Sequence, residues 1–254
     1  MFQIERQEKI LRYINDAKKA NTGQLAREFN VSKVTIRRDI DVLAQKGLLF
    51  KAHGGAVSSS STFLHEIPYS DKAVVNSAAK KAIGLTAAKM IEDGDIIILD
   101  AGSTTLEIAK NIKKDNITVL TNDLKIAMEL TNKPNIHVMV SGGNLTSSVY
   151  TLTGNISVDF FKKIHVNKTF LGCDAVDIEF GISNRTYEEI DIKLAMIKAA
   201  DEVIMVTDNS KLGKKVFAYL CDVSAINKLV INKIDDGDSK AFTEKGVELI
   251  ITAV

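Results

Sequence analysis

Apolar residues recur at helical spacing in three segments near the beginning of the chain, at 3–17, 22–29 and 32–46. This spacing places the apolar side chains on one face of each helix. The second and third segments are separated by a tight turn at Asn30 and Val31, and two short helices joined in this way predict a helix-turn-helix. On the inner face of the first segment we expect Ile4, Ile10, Leu11 and Ile14.

The third segment has a polar face as well as an apolar one. We expect Ser32 to cap this helix and Thr22 to cap the second, because a hydroxyl there accepts a hydrogen bond from the first turn. Gly47 is expected to end the third helix. The apolar face contains Ile36, Ile40, Leu43 and Ala44, and the polar face contains Ser32, Lys33, Thr35, Arg37 and Arg38. In a helix-turn-helix such a face enters the major groove of DNA, where Lys and Arg neutralise phosphates and side chains reach base edges.

Residues 48–57 form two short extended runs around the pair Gly54 and Gly55. This pattern predicts a β-hairpin wing beside the helix-turn-helix. Lys51 and His53 are candidate contacts to DNA phosphates. For His53, a structural hydrogen bond within the wing is an equally good interpretation. We therefore predict a winged helix-turn-helix over residues 1–57.

The composition changes after this region. Residues 58–75 begin with a Ser/Thr run and contain Pro68, so we expect a linker with little packing. From 76 to 254, apolar runs alternate with helical segments, which predicts a Rossmann-like α/β domain with a mostly parallel sheet and helices on both faces. The predicted strands are 96–99, 117–120, 136–140, 168–171, 203–206, 228–231 and 247–251, and the predicted helices are 78–91, 105–112, 124–130, 156–164, 187–200 and 239–245.

Four loops follow predicted strands, at 100–105, 121–123, 141–144 and 207–213. Ligands of such sheets bind at the carboxyl ends of the strands. In the first loop, a glycine and three hydroxyls stand beside the free N–H groups of a helix start, which suits a phosphate; ordinary helix capping is the alternative. Together with Asp174, the candidate ligand-binding residues are Asp100, Gly102, Ser103, Thr104, Thr105, Thr121, Asn122, Asp123, Gly142, Gly143 and Lys211.

Some of these residues have ordinary structural interpretations that are equally open. Asn122 and Asn144 are candidates to bind sugar hydroxyls, but asparagine is also common in caps and turns. Lys211 offers a cation to a phosphate, and it is also the kind of lysine found on solvated loops.

The net charge of +1 conceals an asymmetry. Residues 1–57 carry 11 Lys and Arg against 6 Asp and Glu, whereas the remaining residues carry 22 against 26. A basic region attached to an acidic one is typical of a DNA-binding module joined to another domain. No apolar run approaches the roughly 20 residues that span a membrane. Cys173 and Cys221 have no metal-ligand spacing, and we expect reduced thiols in a cytoplasmic protein.

Two sets of motifs resemble those of DeoR-type bacterial transcription regulators. The first region has Val31-Ser32, the string Thr35-Ile-Arg-Arg-Asp39, and His53-Gly-Gly-Ala56 at the separation that the family shows. The second has Asp100-Ala-Gly-Ser-Thr-Thr105, Thr121-Asn-Asp123, Gly142-Gly143 and Asp208-Asn-Ser-Lys211, in the order of the family. The resemblance covers residues 1–57 and roughly 76–235.

The resemblance implies a winged helix-turn-helix followed by a sensor domain similar in fold to ribose-5-phosphate isomerase. It implies a phosphorylated sugar or sugar-like metabolite as effector. We expect no cofactor. We accordingly expect a cytoplasmic regulator, a repressor of a carbohydrate-metabolism operon, that binds double-stranded operator DNA as a homodimer or homotetramer.

Two other functions stay open on the sequence alone. The first region is also compatible with a protein partner in place of DNA. The second region is also compatible with a sugar-phosphate isomerase, which needs a carboxylate base. Candidate carboxylates lie in the segment 172–177 and at Glu188 and Glu189, although Glu189 and Lys193 are four residues apart on a predicted helix and an ion pair between them is the alternative. However, the segment Gly172-Cys-Asp-Ala-Val-Asp177 does not reproduce the Asp-Gly-Ala-Asp-Glu string of the isomerases, and Ala175 stands where many relatives of the regulator family have Gly. We expect Asp174 to contact a sugar hydroxyl or cap a turn, and we expect neither a catalytic residue nor a metal ligand.

Overall fold

The computed structural model describes residues 3–17, 19–45, 48–52, 54–58 and 67–252. The chain divides into two compact units, Met1–Ile67 and Pro68–Val254. None of the described helices is long and apolar enough to cross a membrane.

The first unit contains three helices and a small antiparallel sheet. Its elements are α1 (Gln3–Ala17), β1 (Lys19–Asn21), α2 (Thr22–Glu28), α3 (Lys33–Gln45), β2 (Leu49–Ala52) and β3 (Gly55–Ser58). The sheet order is β1-β3-β2, so the predicted hairpin is confirmed and β1 adds a third strand to it. Its apolar core includes Ile10, Ile14, Leu25, Ile36, Ile40, Leu43 and Leu49.

Two expectations for this unit were wrong. Ile4 is 74% exposed and is not part of the inner face of α1. The cap of α2 is Asn21, whose Oδ1 accepts from the N–H of Gln24 at 2.8 Å. Thr22 is instead the first helical residue, and its hydroxyl donates to the carbonyl of Gly54 at 2.5 Å. Thr22 therefore fastens the wing to α2.

The glycine pair of the wing is explained by local geometry. Gly54 has φ of +79°, which side chains rarely adopt. A Cβ added to Gly55 would lie 2.1 Å from the carbonyl oxygen of Ala20, because β3 pairs directly with β1 at this point. The predicted helix end at Gly47 and the candidate phosphate contact His53 lie outside the described residues.

The second unit is built on a seven-stranded parallel sheet. Its helices are α4 (Tyr69–Val74), α5 (Ser77–Ala88), α6 (Ser103–Asn111), α7 (Leu124–Leu130), α8 (Asn155–Lys162), α9 (Ile190–Ala199) and α10 (Asp236–Glu244). The parallel strands are β4 (Ile96–Leu99), β5 (Ile117–Thr121), β6 (Ile136–Val140), β9 (Val166–Leu171), β12 (Ala200–Val206), β14 (Lys228–Ile231) and β15 (Glu248–Ile251). The short antiparallel strands are β7 (Asn144–Thr146), β8 (Thr151–Thr153), β10 (Ala175–Asp177), β11 (Gly181–Asn184) and β13 (Ala218–Cys221).

Helices cover both faces of the parallel sheet, as predicted. Along β4, Ile98 packs in one apolar cluster while Ile97 and Leu99 pack in the other. Side chains alternate between the faces of a strand, so a strand covered on both sides must be apolar throughout. This requirement explains the apolar residues Ile97, Ile98 and Leu99, whereas Ile96 at the start of β4 is 40% exposed.

The strand order creates a crevice in the middle of the sheet. The order is β15-β14-β12-β9-β4-β5-β6, with β4 beside β9. From β4 the chain adds strands towards one edge, and from β9 it adds them towards the other. The loops that follow β4 and β9 therefore leave in opposite directions, and in parallel sheets ligands bind at such a switch point.

Part of the predicted linker is ordered and packed, contrary to expectation. Tyr69 of α4 is buried, and its N–H donates to the carbonyl of Ser148 at 2.8 Å. Its ring lies edge-on to that of Tyr150, and the Lys125 ammonium lies over both rings, 4.6 and 4.2 Å from their centroids. The sequence did not predict α4 because a helix of six residues has too few turns to show apolar periodicity, and Tyr69 is its one buried residue.

Candidate functional site

The polar face of α3 is presented as the sequence predicts. Ser32 caps the helix, because its Oγ accepts from the N–H of Thr35 at 3.1 Å. Lys33, Arg37 and Arg38 are exposed, as is Ser32 itself, while Thr35 is half-buried. Val34 is also 56% exposed, and the spacing of Val34 and Arg38 places them on the same side of the helix. An exposed apolar group beside basic ones suits the major groove, where thymine displays a methyl group.

The opposite side of α3 is held by a buried ion pair as well as by apolar packing. Asp39 is 1% exposed and accepts from Arg6 Nε at 2.6 Å and from Gln7 Nε2 at 3.1 Å. The hydrogen bond to Asp39 raises the pKa of Arg6. Lys51 of the wing, a candidate phosphate contact, lies 2.5 Å from Asp41 of α3. The wing and the helix are therefore joined by an ion pair.

The second unit has a cleft at the switch point of its sheet. Its volume is about 720 Å³, including the space open to solvent at its mouth. Its walls come from the loops after β4, β9 and β12, and from α4, α5, β11 and α9. The residues that line it include Lys72, Lys80, Gly102, Ser103, Thr104, Thr105, Gly172, Cys173, Asp174, Asn184, Glu189, Lys193, Thr207, Asp208, Ser210 and Lys211.

One wall of the cleft is the beginning of α6. The residue at its N-cap is Gly102, which has no side chain to accept hydrogen bonds from the first-turn N–H groups. The hydroxyl of Thr105 turns back and donates to the carbonyl of Gly102 at 2.9 Å. The free N–H groups and the positive end of the helix dipole therefore face a ligand space, which is the usual arrangement of an anion site.

The loop that precedes α6 is held by two residues that the sequence placed in the binding site. Asn122 Oδ1 accepts from the N–H of Ala101 at 3.1 Å, and Asp123 Oδ2 accepts from the N–H of Gly102 at 3.2 Å. Burial raises the pKa of Asp123 to about 6, although backbone N–H groups oppose the shift. Thr121 Oγ1 in turn accepts from the N–H of Asp123. These three residues lie behind the cleft wall and position it.

Asp100 and Lys193 join the two loops that diverge at the switch point. Asp100 Oδ2 accepts from the N–H of Gly172 at 2.9 Å and from Lys193 Nζ, and Lys193 also donates to the carbonyl of Gly172 at 3.1 Å. Burial alone would lower the pKa of Lys193, but the charges of Asp100 and Glu189 outweigh it and raise that pKa. This buried pair fixes the spacing of the loops after β4 and β9.

Cations surround the remaining part of the cleft. Asp174 lies 3.8 Å from Lys72 and 3.8 Å from Arg185, and it accepts from the N–H of Arg185 at 3.1 Å. Burial would raise the pKa of Asp174, but Lys72, Lys211 and Arg185 hold it well below its usual range. Lys80 donates to the carbonyl of Lys72, and burial lowers its pKa to about 8. The side chain of Lys211 is half-buried.

The predicted glycines Gly142 and Gly143 are not among the cleft-lining residues. They follow β6, which is the edge strand and lies two strands away from β4. A Cβ on Gly143 would lie 2.5 Å from the carbonyl oxygen of Thr153, so this pair forms a close turn against the hairpin of β7 and β8. Asn144 is exposed at the start of that hairpin.

Three cleft residues were not anticipated from the sequence, namely Lys72, Lys80 and Asn184, and two others, Glu189 and Lys193, were not among the candidate ligand-binding residues. They come from helices and from the short strand β11, whereas the prediction considered only loops after strands. One signal was available for Lys193, which interrupts the apolar residues of α9 and is 3% exposed. Among the described residues, no group of three or more His, Cys, Asp or Glu side chains is placed to hold a metal ion.

Two family models match this chain. The DeoR-like helix-turn-helix domain matches residues 6–62, and the DeoR C terminal sensor domain matches residues 75–233. The chain is 36% identical over 255 residues to the uncharacterised HTH-type transcriptional regulator YulB of Bacillus subtilis, covering 100% of this chain and 98% of YulB.

Other similar proteins include the HTH-type transcriptional repressor GlcR of B. subtilis, 31% identical with 99% of this chain and 97% of GlcR covered. The L-fucose operon activator of Haemophilus influenzae is 31% identical, with 88% and 90% covered. Among solved structures, ribose 5-phosphate isomerase A of Methanocaldococcus jannaschii superposes with a TM-score of 0.40 and 19% identity over 55% of this chain and 56% of the isomerase. The two family models and the relatives that match over the whole length show that this chain belongs to the DeoR family of helix-turn-helix transcriptional regulators.

Proposed function

We propose that this protein represses a carbohydrate-metabolism operon in the cytoplasm, and that a phosphorylated sugar bound in the cleft changes its affinity for operator DNA. The observation that carries the proposal is the composition of the cleft. An uncapped helix N-terminus and several lysines meet there, at the switch point of the sheet. The similarity to a transcriptional repressor and to a regulator of an L-fucose operon supports the proposed role.

The phosphate group is proposed to bind at the beginning of α6. There the N–H groups of the first turn offer several donors to one anion, and Lys80 and Lys211 add positive charge. Because the pKa of Lys80 is only about 8, an anion beside it also favours its charged form. Ser103 and Thr104 add hydroxyl donors at the same place.

The cleft is proposed to bind its ligand without converting it. Isomerisation of a sugar phosphate needs a carboxylate whose pKa lies near the working pH. Three cations hold the pKa of Asp174 far below that range: Lys72 and Arg185 lie 3.8 Å from its Oδ1, and its Oδ2 accepts from the N–H of Arg185. A carboxylate in this state is a poor proton acceptor, and it is better suited to hold cations or hydroxyls in place.

The DNA-binding surface is proposed to be the exposed face of α3 with Lys33, Thr35, Arg37 and Arg38. Helix-turn-helix proteins bind paired half-sites as dimers, so we propose a homodimer or homotetramer. A ligand changes operator affinity only if it binds two arrangements of the protein with different affinity. Lys72 is a candidate to sense the bound ligand, because its ammonium lies 3.8 Å from Asp174 in the cleft. It belongs to α4, which begins directly after the boundary between the two units in the chain.

The test is thermal unfolding of the full chain with a panel of sugar phosphates and the corresponding free sugars. A ligand that binds the native state raises the midpoint, by an amount that grows with its concentration. We expect a shift with one or a few phosphorylated sugars and none with their free parents. Equal shifts with the free sugars would contradict the phosphate site, and no shift with any member would contradict the proposed effector class.

A further inference from the structure

One polar atom in the cleft has no hydrogen-bond partner. Asn184 ends the short strand β11, lines the cleft, and is 2% exposed. Its Oδ1 is buried, and within the described part of the chain no group donates a hydrogen bond to it. Buried polar atoms in native proteins nearly always have hydrogen-bond partners. Burial removes the water that would hydrogen-bond to such an atom, and without a new partner this loss destabilises the folded state.

The orientation of this amide follows from its neighbour. Asn184 Nδ2 donates to Glu189 Oε2 at 2.7 Å. An ionised carboxylate only accepts hydrogen bonds, so the amide nitrogen must point to Glu189 and the oxygen must point away from it. The unpaired atom is therefore an acceptor, and its missing partner must be a donor.

This requirement separates Asn184 from the anion site. A phosphate carries oxygens that accept hydrogen bonds, so it satisfies the N–H groups of α6 and the lysines but not another acceptor. Within a bound ligand, the partner of Asn184 would therefore be a part other than the phosphate, one that carries an O–H or N–H group. A sugar hydroxyl has this property, whereas a phosphate monoester dianion and an apolar chain do not.

We propose that Asn184 Oδ1 accepts a hydrogen bond from one hydroxyl of the effector, and that Asn184, oriented by Glu189, is a specificity-determining residue of the cleft. The inference rests on the proposed function, because it assumes that the same ligand places its phosphate at α6. Asn184 then distinguishes phosphorylated ligands from one another. A ligand that lacks this hydroxyl leaves Oδ1 unpaired in the complex and therefore binds more weakly.

The experiment measures the affinities of matched ligands by calorimetry on the full chain. The pairs are ribose 5-phosphate with 2-deoxyribose 5-phosphate and glucose 6-phosphate with 2-deoxyglucose 6-phosphate, extended to the other deoxy and fluoro positions of whichever sugar phosphate binds. In the natural protein we expect one missing hydroxyl to weaken binding by about tenfold or more. In Asn184→Leu we expect that ratio to fall to about twofold or less, because the residue that distinguishes the pair is absent.

Two controls keep the outcome interpretable. Inorganic phosphate lacks the sugar, so it should bind the natural protein and Asn184→Leu alike, which also reports that the variant has folded. Thr169→Val removes another buried hydroxyl without a described partner, on β9 and away from the cleft lining. This variant should leave the ligand ratio unchanged.

Each remaining outcome has a definite meaning. A ratio that is unchanged in Asn184→Leu would overturn the role of Asn184 while leaving the phosphate site standing. Equal binding of every deoxy and fluoro analogue to the natural protein would overturn it too, and this comparison needs no variant. Absence of binding by inorganic phosphate and by all the sugar phosphates would instead overturn the proposed function.

Discussion

The two functional surfaces of this regulator are built in opposite ways. On α3 the side chains proposed to contact DNA lie on one side of one helix, and Ile36, Ile40 and Asp39 hold the helix from the other side. In the cleft, supporting groups such as Asp100 and Lys193 are buried, proposed binding groups such as Ser103 and Lys211 are half-buried, and both kinds belong to separate elements. On α3, therefore, the proposed DNA contacts are separated from the residues that hold the helix, whereas in the cleft the proposed binding groups lie on loops that buried ion pairs and hydrogen bonds hold in place.

The largest effect, a loss of stability, is expected from the buried ion pair of Asp100 and Lys193. Asp100→Asn removes the carboxylate that is hydrogen-bonded to the buried Lys193 ammonium, and we expect the free energy of unfolding to fall by about 3–5 kcal/mol. Chemical denaturation at pH 7 measures the loss. The double variant Asp100→Asn, Lys193→Met is the control, because it removes the charge as well and should recover part of the stability. A loss below about 1 kcal/mol in the single variant would show that the pair is not a structural support.

On α3 we expect substitutions to change stability little and DNA affinity strongly. Arg37→Ala with Arg38→Ala should change the free energy of unfolding by about 0.5 kcal/mol or less, because both side chains are exposed. DNA affinity should fall by about tenfold or more, and the slope of log affinity against log salt should decrease by about 0.9 for each lost phosphate contact. Arg12→Ala on α1 provides a matched arginine control. Unchanged affinity and salt dependence would exclude α3 as the DNA-contacting helix.

Lys80 makes anion binding in the cleft depend on pH. Its pKa is lowered to about 8 by burial, so it loses its charge as the pH rises through 8, and a bound anion stabilises the charged form. Sulfate is a suitable probe because it does not titrate in this range. Between pH 8 and 9.5 its affinity should fall by up to about tenfold per pH unit. In Lys80→Arg the affinity should be nearly independent of pH over this window, and a parallel decline there would point to another group.

The smallest effect concerns the one residue of the α3 face that also supports the helix. Ser32→Ala removes the cap on the N–H of Thr35 and should lower the free energy of unfolding by about 1 kcal/mol. The neighbouring variant Lys33→Ala should leave stability nearly unchanged while weakening DNA binding. Equal stability of the two variants would mean that the cap contributes little, and that function and stability are separated on α3 even at this position.

The same contrast explains what could be predicted from the sequence. The residues of the first unit that matter are close together in the chain, so spacing alone located three helices, the Ser32 cap and the basic face. The sequence could not show that Asn21, and not Thr22, caps α2. The hydroxyl of Thr22 donates to the carbonyl of Gly54, and a contact between residues so distant in sequence is not visible in local spacing. Ile4 was misplaced because it belongs to the first turn of α1, where the core no longer reaches.

In the second unit, the alternation of strands and helices predicted the sheet but not the order of its strands. That order decides which strand-end loops meet. The loops after β4, β9 and β12 line the cleft, while the loop after β5 only supports it and the loop after β6 lies elsewhere. Lys72, Lys80 and Asn184 reach the cleft from helices and a short strand, whose placement depends on packing that periodicity does not encode.

The central claim is that the cleft and the α3 face are energetically coupled. The most direct test measures the affinity of the full chain for a selected operator duplex with and without the bound sugar phosphate, and the affinity for that sugar phosphate with and without the duplex. We predict that each ligand changes the affinity for the other by the same factor, about 5- to 150-fold. A sugar phosphate that binds in the cleft and leaves operator affinity unchanged would contradict the claim.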